Sequence, residues 1–337
     1  MALRGRFLFM EQDSGFFYSL QRWTEATLTK HRAKRRIKKE KQKAKNPILD
    51  WIEAFLWAAG MVLIINQYLF QAYQIPSGSM IDTLLIGDRI FVNKLIYGPE
   101  LLPGVAKIPS PIKPERNQVI IFENPSYISR GPVFDVLQRV LYMLTLSLVD
   151  IDRDENGSPK AHFLIKRAVG MPGDILTMKN GEMYLLFPGE TRVIPERDYL
   201  KANGMEHTIN RLMNVSAYPA LEAAGRMAAF SDLGLPVPAY LQDQVKSAAN
   251  LKYPDYLDHE LSRIEVLQGA NPQDKRYTTL SARFRLGWYV PQDRIFPMGD
   301  NRDNSRDARY FGPVSLSKVL GKGTIKYWPL SRFGLIK

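Results

Sequence analysis

The sequence predicts a mainly β domain that carries a partly helical insertion and is preceded by one transmembrane helix. An uncharged stretch of 20 residues runs from Ala54 to Tyr73. Short runs rich in β-branched and aromatic residues follow it, as in residues 89–97 (RIFVNKLIY), and such runs are typical of strands. Residues 220–230 and 258–268 instead have the apolar spacing of helices.

The uncharged stretch is long enough to cross a bilayer. At about 1.5 Å per residue it spans roughly 30 Å, the thickness of a hydrocarbon core. We place the span at residues 51–73. The alternatives are a buried helix of a soluble domain, which Asn66, Gln67 and Gln71 would suit, and a cleavable secretory signal. The signal is disfavoured because the stretch begins 53 residues into the chain.

Charge is concentrated before the span. Residues 1–46 hold 13 Lys and Arg against 4 Asp and Glu, whereas the other 291 residues hold 33 against 30. Basic residues flanking a span favour the cytoplasmic side and anionic lipid. The alternatives are an inert tail or nucleic-acid binding, but the rest of the chain lacks a basic excess, so we expect no nucleic-acid partner. Residues from about 75 onward are then expected outside the cytoplasm.

These features divide the chain into four parts. We predict a basic cytoplasmic segment (1–50), the span (51–73), a β-rich catalytic core (74–180 and 291–337) and an insertion subdomain (181–290). The insertion is interpreted as an elaboration without separate function, with partner binding as the alternative. A second apolar stretch, Val133–Val149, is 17 residues long and carries two charges. We expect it not to span but to form an insertion helix that packs on the domain or lies in the membrane interface.

Three segments of the predicted core carry candidate chemistry. Residues 76–84 (PSGSMIDTL) follow the span, residues 163–174 (FLIKRAVGMPGD) read as a strand running into a turn, and residues 298–314 (MGDNRDNSRDARYFGPV) form a polar loop. Taken singly, each has a structural explanation: a turn after a helix, a strand with an exposed Lys-Arg pair, and a surface loop. Together they supply the parts of a serine hydrolase.

The base in such an enzyme is expected to be lysine. The chain has no cysteine and only four histidines, none in the surroundings of a Ser-His-Asp site. A free lysine has a pKa of about 10.4, so about one in 2,500 is neutral at pH 7, but burial lowers that pKa by several units. Lys166 follows three apolar residues that can bury it. Arg167, on the opposite strand face, is expected to stay solvated.

These segments resemble the bacterial type I signal peptidases. That family carries Pro-Ser-x-Ser-Met-x-Pro-Thr-Leu after its anchor, Lys-Arg-x-x-Gly-x-Pro-Gly-Asp in mid-chain, and Gly-Asp-Asn-Arg-Asp-Asn-Ser-x-Asp-Ser-Arg near its end. Here they stand, in the same order, at Pro76–Leu84, Lys166–Asp174 and Gly299–Arg309. The chain departs from the pattern at Asp82, in place of proline, at Ala308, in place of serine, and at Asn117-Gln118, in place of Gly-Asp.

The resemblance implies a role for each matched residue. Ser79 would be the nucleophile and Lys166 the general base. The main-chain N–H of Ser79 and the hydroxyl of Ser77 would form the oxyanion hole, worth about 3–4 kcal/mol per donor in the transition state. Ser305 would hold the lysine amine. The structural ion pair would be Asp307 with Arg309, and the residues expected to line the substrate pockets are Pro76, Met80, Leu84 and Ile165.

The implied substrate is an exported preprotein whose signal peptide ends in small-x-small. Membrane lipid is an expected partner and the secretion translocon a further candidate, and we expect no cofactor and no metal site; Asp300, Asn301, Arg302 and Asp303 are interpreted as loop scaffolding. The implied location is the inner membrane, single-pass, with the N-terminus in the cytoplasm and the catalytic domain outside. Two alternatives stand: a self-cleaving repressor-type peptidase, which lacks an anchor, and a catalytically idle membrane scaffold of the same fold.

Overall fold

The structure is a computed structural model that describes residues 14–43, 46–102, 106–154, 157, 160–205, 207–246 and 256–337. Its helices, in chain order, are α1 (Ser14–Lys43), α2 (Pro47–Ile64), α3 (Pro132–Leu144), α4 (Glu196–Ala202), α5 (Tyr218–Asp232), α6 (Ala239–Val245), α7 (Tyr256–Ala270), α8 (Lys275–Leu286) and α9 (Ala308–Phe311). Its strands are β1 (Phe70–Gln74), β2 (Arg89–Asn93), β3 (Glu100–Leu102), β4 (Ala106–Lys107), β5 (Val119–Glu123), β6 (Phe163–Gly170), β7 (Ile175–Lys179), β8 (Glu182–Leu186), β9 (Ile194–Pro195), β10 (Trp288–Tyr289), β11 (Arg294–Met298), β12 (Val314–Ser315), β13 (Val319–Trp328) and β14 (Gly334–Leu335).

The chain divides into two units, Met1–Met61 and Val62–Lys337. The first contains the basic helix α1 and most of the apolar helix. That apolar helix runs over Pro47–Leu69, 23 residues with a mean hydropathy of 1.9, and is long and apolar enough to cross a membrane. The predicted span of 51–73 therefore lies about four residues too late. The last residues of the predicted span, Phe70–Tyr73, belong instead to strand β1, because their backbone pairs with β2.

The second unit is built on an antiparallel sheet in the order β1-β2-β13-β5-β6-β11-β12, with β14 paired to β13. A four-stranded sheet, β10-β7-β8-β9, accompanies it. The sheet-rich fold class predicted from the sequence is confirmed. The strands form because alternate residues are apolar and buried, as in β2, where Ile90 and Val92 are fully buried between half-exposed neighbours.

The helices α5 to α8 lie within the predicted insertion. Helices α5 and α7 pack closely at Gly225, where a Cβ atom would come within 2.1 Å of the backbone oxygen of His259. Only glycine permits this approach. The division into core and insertion stays a prediction, and the four-stranded sheet crosses its boundary, since β7 precedes residue 180 and β8 follows it.

The second apolar stretch forms helix α3, which is 13 residues long. At about 1.5 Å per residue it reaches roughly 20 Å, too short to cross a hydrocarbon core. Strands β5 and β6, which flank it in the chain, are antiparallel neighbours in one sheet and pair from Val119↔Arg167 to Glu123↔Phe163. The segment between them, which includes α3, is therefore a long connection between two paired strands. The chain rejoins the sheet just before Lys166.

Candidate active site

Ser79 lies in a single 3-10 turn, Gly78–Met80, shortly after strand β1. The segment before it is held by backbone bonds, since the Ile75 N–H donates to Asp88 and the Gly87 N–H donates to Ile75. Ser79 itself is buried, with 8% of its surface exposed. The sequence folds this way because Pro76 and Gly78 interrupt the strand, while the Met80 side chain packs in the core and holds the turn there.

Lys166 lies in the middle of strand β6, beside Ser79. Its Nζ atom is 2.7 Å from Ser79 Oγ and 3.0 Å from the carbonyl oxygen of Ile165. The lysine side chain is buried, with 3% of the residue exposed. Two residues 87 positions apart in the chain thus form a hydroxyl–amine pair at hydrogen-bond distance. This is the geometry of a nucleophile next to a base.

The surroundings favour the neutral form of this amine. Burial lowers the pKa of Lys166 from its ordinary value to about 8, because an ammonium loses its hydration there. The negative charges of Asp307 and Asp300 act in the opposite direction and raise it, while Arg309 lowers it. With a pKa near 8, about a tenth of the lysine is neutral at pH 7, which is enough for general-base work.

Asp307 and Arg309 form an ion pair close enough to Lys166 for both charges to act on its pKa. Arg309 Nε is 2.9 Å from Asp307 Oδ1, and both side chains are almost fully buried. The carboxylate also accepts the Gly299 N–H at 3.0 Å. Burial alone would raise the pKa of Asp307, but Arg309, this N–H and the Ser305 hydroxyl lower it below its ordinary value. The structure therefore brings together the two residues that the sequence paired.

Ser305 is buried close to the backbone of Ser79. Within the described part of the chain, no hydrogen bond joins its Oγ atom to Lys166. A Cβ atom on Gly299 would meet Ser305 Oγ at 2.3 Å and the Ser79 carbonyl oxygen at 2.5 Å. Gly299 therefore packs between the Ser305 hydroxyl and the Ser79 backbone, where there is no room for a side chain. The orienting role of Ser305 stays a prediction.

Arg167 contradicts the expectation that it is solvated. It is fully buried, and its Nε and Nη2 atoms donate to the two carboxylate oxygens of Asp300 at 2.8 and 2.7 Å. It also donates to the carbonyl oxygens of Asn117 and Lys337. Strand β6 lies between β5 and β11, and both of its faces are covered near Arg167. The face that carries Arg167 is therefore not in contact with water. Asp300 accepts from Thr83 as well, at 2.6 Å.

The loop that follows β11 is tied to both the nucleophile turn and the insertion. The Asn301 side chain donates to the Gly78 carbonyl oxygen at 2.9 Å. Arg302 makes a two-pronged ion pair with Glu196, at 2.5 and 2.6 Å, inside the protein. Asp303 accepts the N–H groups of Leu212 and Met213. These contacts support the interpretation of residues 300–303 as scaffolding.

Sequence reasoning missed Glu196, because its partner Arg302 lies 106 residues away and neither has a local signal. It also passed over His162. That side chain lies 3.0 Å from Asp152 and lines the cavity in front of Ser79. Since the hydrogen bond to Ser79 Oγ comes from Lys166, we assign His162 to the wall of the cavity.

The cavity has a volume of about 460 Å³ and opens beside the Ser79–Lys166 pair. Ser77, exposed and in an extended conformation, lies at its edge. Of the four residues expected to contact substrate, Pro76, Met80 and Ile165 line it. Leu84 does not: it is fully buried in the core cluster with Met80 and Ile90, because the turn after residue 80 directs it into the sheet.

Two departures from the family pattern have a structural counterpart. Asn117 stands where the family has glycine and adopts φ +72°, a left-handed conformation that asparagine tolerates better than most residues. Gln118 stands in place of aspartate and accepts the Glu115 N–H at 3.1 Å. Asp82 is exposed. The turn before β5 is therefore formed without the family's usual residues.

An antiparallel sheet that brings a serine hydroxyl to a buried lysine amine is suited to a serine hydrolase that needs no histidine. The family model described as "Signal peptidase, peptidase S26" matches residues 48–328. A signal peptidase I of Buchnera aphidicola (subsp. Schizaphis graminum) is 27% identical over 80% of this chain and 70% of its own length. Those of Haemophilus influenzae (26%, 87% of this chain, 74% of its own) and Aquifex aeolicus (27%, 79% of each) are similar.

The chain belongs to the signal peptidase family, peptidase S26. It is a peptidase of the signal peptidase I type, since the match covers the catalytic segments and the named relatives align over most of their length. Together with the apolar helix Pro47–Leu69, the family indicates a membrane-associated protein.

Proposed function

We propose that this protein removes signal peptides from exported preproteins, cutting after small-x-small sequences with Ser79 as nucleophile and neutral Lys166 as general base. The observation that carries the proposal is the 2.7 Å separation of Lys166 Nζ and Ser79 Oγ in a buried setting. Membership in the signal peptidase family supports the substrate class.

In the first step the lone pair of the Lys166 amine takes the proton of the Ser79 hydroxyl as Oγ attacks the scissile carbonyl carbon. The tetrahedral intermediate collapses when the leaving amine of the mature protein receives that proton from the Lys166 ammonium. A water molecule then attacks the acyl-enzyme, and Lys166 accepts a proton from the water and returns it to Ser79 Oγ. The lysine ends each cycle neutral, as it began.

The oxyanion would be held by the Ser79 N–H and the Ser77 hydroxyl. Both lie on the turn that carries the nucleophile, and Ser77 faces the cavity. Ser305 is proposed to steady the ammonium form of Lys166 once substrate has closed the site, since catalytic hydrogen bonds are often long before substrate binds. Asp307 and Arg309, as a buried ion pair, are proposed to shape the site around the base.

The preference for small residues would come from the cavity walls. Pro76, Met80 and Ile165 border the space next to Ser79, and a shallow apolar pocket rejects larger side chains by clash. Because Leu84 lies in the core, it supports Met80 from behind instead of contacting substrate.

The proposed location is the inner membrane, with the basic N-terminal segment in the cytoplasm, the helix Pro47–Leu69 across the bilayer and the residues after Leu69 outside. The basic excess before the apolar helix supports this orientation. Signal peptides emerge from the membrane just before their cleavage point, and Ser79 follows the last residue of the span by ten positions. The secretion translocon remains a candidate partner.

The second candidate function, a catalytically idle scaffold, is favoured by one observation only: Ser305 Oγ has no hydrogen bond to Lys166 among the described residues. The retained pair of Ser79 and Lys166 favours the enzyme.

The test is processing of a secreted preprotein by the detergent-solubilised protein, with N-terminal sequencing of the product. We expect Ser79→Ala and Lys166→Ala to abolish cleavage. Ser317→Ala and Lys318→Ala, at exposed positions of the same unit, are the matched controls and should cut normally. Cleavage by either site variant, or a product that does not begin after a small-x-small sequence, would overturn the proposal.

A further inference from the structure

Helix α3 is inverted relative to an ordinary surface helix. In a globular domain the apolar stripe of such a helix faces the core. Here the apolar residues at successive turns point outward: Val133 and Val136 are 83% and 59% exposed, and Leu137 and Leu144 are exposed as well. The turn after the helix adds two more exposed side chains, Leu146 and Leu148. We call these six residues the α3 outer surface.

The opposite side of α3 carries its polar residues Gln138 and Arg139 and packs on the domain together with Tyr142 and Met143. Gln138 is buried, and its side chain donates to Asp150 at 3.0 Å. Arg139 lies over the ring of Phe163 and 3.9 Å from a carboxylate oxygen of Glu123. Rotating the helix to bury its apolar stripe would break the Gln138–Asp150 hydrogen bond and separate Arg139 from Phe163 and Glu123. The inversion is built in by these contacts.

The position of α3 indicates what covers its outer surface. Gln138, Arg139 and Tyr142 line one small cavity together with Gln67, a residue in the last turn of the membrane-spanning helix. Tyr142 also packs on Tyr73, four residues after that helix ends, with ring centroids 6.2 Å apart. A helix in contact with the end of a span lies at the depth where the span leaves the hydrocarbon.

We propose that the α3 outer surface lies in the lipid interface and is a second membrane contact of this protein. A short amphipathic helix whose apolar face is buried about 5–10 Å into the headgroup boundary is a known way to hold a domain on a bilayer. The occupant is lipid and not another protein, because the opposite face of the same helix packs beside the end of the span, through Tyr142 on Tyr73 and Gln138 beside Gln67. Leu148 also lines the cavity in front of Ser79, so the lipid contact reaches the edge of the proposed substrate site.

The inference rests on the membrane placement given under the proposed function, and the experiment separates the two. The chain has no cysteine, so single cysteines can be labelled with an environment-sensitive fluorophore in the full-length protein. Val136→Cys tests the α3 outer surface, Met61→Cys reports the span, and Arg276→Cys, whose native side chain is 80% exposed on α8, is the aqueous reference. Each labelled protein is reconstituted in phosphatidylcholine vesicles whose acyl chains are brominated near the headgroup.

We expect the probes at positions 136 and 61 to be quenched by brominated lipid, and both to be at least fivefold less sensitive to iodide than the probe at 276. If the probe at 136 behaves like the one at 276, the inference is wrong while a quenched probe at 61 still supports the span. If neither 61 nor 136 responds to brominated lipid, the membrane placement fails as well. Protection of 136 from both quenchers would identify a protein partner instead and would also overturn the lipid contact.

Discussion

The Nζ atom of Lys166 lies 2.7 Å from the Oγ atom of Ser79, and both side chains are buried. At this distance a neutral amine can accept the hydroxyl proton, whereas an ammonium can only donate to the oxygen. The same burial that brings the two atoms into a dry site lowers the lysine pKa to about 8. Burial around strand β6 therefore both encloses the Lys166 amine beside Ser79 and favours its neutral form.

Replacing the base by an apolar side chain of similar length should separate activity from stability. We expect Lys166→Met, like Lys166→Ala, to abolish measurable cleavage, because loss of a general base usually lowers kcat by about 10²- to 10⁴-fold. Lowering the pKa from 10.5 to about 8 in the folded state costs stability, at about 1.4 kcal/mol per unit, or about 3 kcal/mol in all. Since methionine has no such cost, the variant should unfold at a higher temperature than the parent.

The pH dependence of that gain provides the control. A folded pKa below the unfolded one means that the folded state binds fewer protons, so the cost is complete below about pH 8 and disappears as the pH rises past 10.5. The difference in melting temperature between Lys166→Met and the parent should shrink accordingly. A gain that is the same at pH 7 and above pH 10.5 would contradict a buried, desolvated lysine.

The buried pair of Arg167 and Asp300 should be important for stability. We expect Asp300→Asn to destabilise the protein by about 3–5 kcal/mol, because it leaves the guanidinium of Arg167 buried without its counter-charge. Thermal unfolding in detergent measures this. The matched control is Asp274→Asn, whose partner Arg276 is largely exposed and whose helix-capping role asparagine can keep; an equal loss in the two variants would contradict the assignment.

Gly299 should be intolerant of a side chain. A Cβ atom there would lie 2.5 Å from the Ser79 carbonyl oxygen and 2.3 Å from Ser305 Oγ, so Gly299→Ala should displace the nucleophile turn. We expect at least a tenfold fall in kcat/KM, since small misplacements of catalytic groups are costly. Gly269→Ala in helix α7, with open space around its Cβ position, should keep full activity. Normal cleavage by the Gly299 variant would show that this contact does not hold Ser79.

The sequence predicted which motif residues lie close together better than it predicted what surrounds them. Ser79, Lys166 and the pair of Asp307 and Arg309 belong to short motifs whose residues act near one another. Arg167 was misjudged because alternation along a strand tells which face a residue is on, not whether that face is covered. Its partner Asp300 is 133 residues away, and pairing over such distances depends on the sheet order.

The helical segments show a similar limit. The apolar residues of Val133–Val149 predicted a helix, but the direction of its apolar face follows from contacts made by Gln138 and Arg139. The end of the span was placed about four residues too late because Phe70–Gln74 is apolar enough for either a helix or a strand. Only its pairing with Arg89–Asn93 decides between them.

The most direct test of the central claim is the pH dependence of kcat/KM on a soluble peptide that contains a small-x-small site. In the proposed mechanism the neutral amine of Lys166 is the active form, so kcat/KM should rise about tenfold per pH unit below its pKa, bend near pH 8 and stay level above it. A profile that is flat over this range, or that bends below 6.5 as His162 would require because burial lowers the pKa of its imidazole, would contradict lysine as the base.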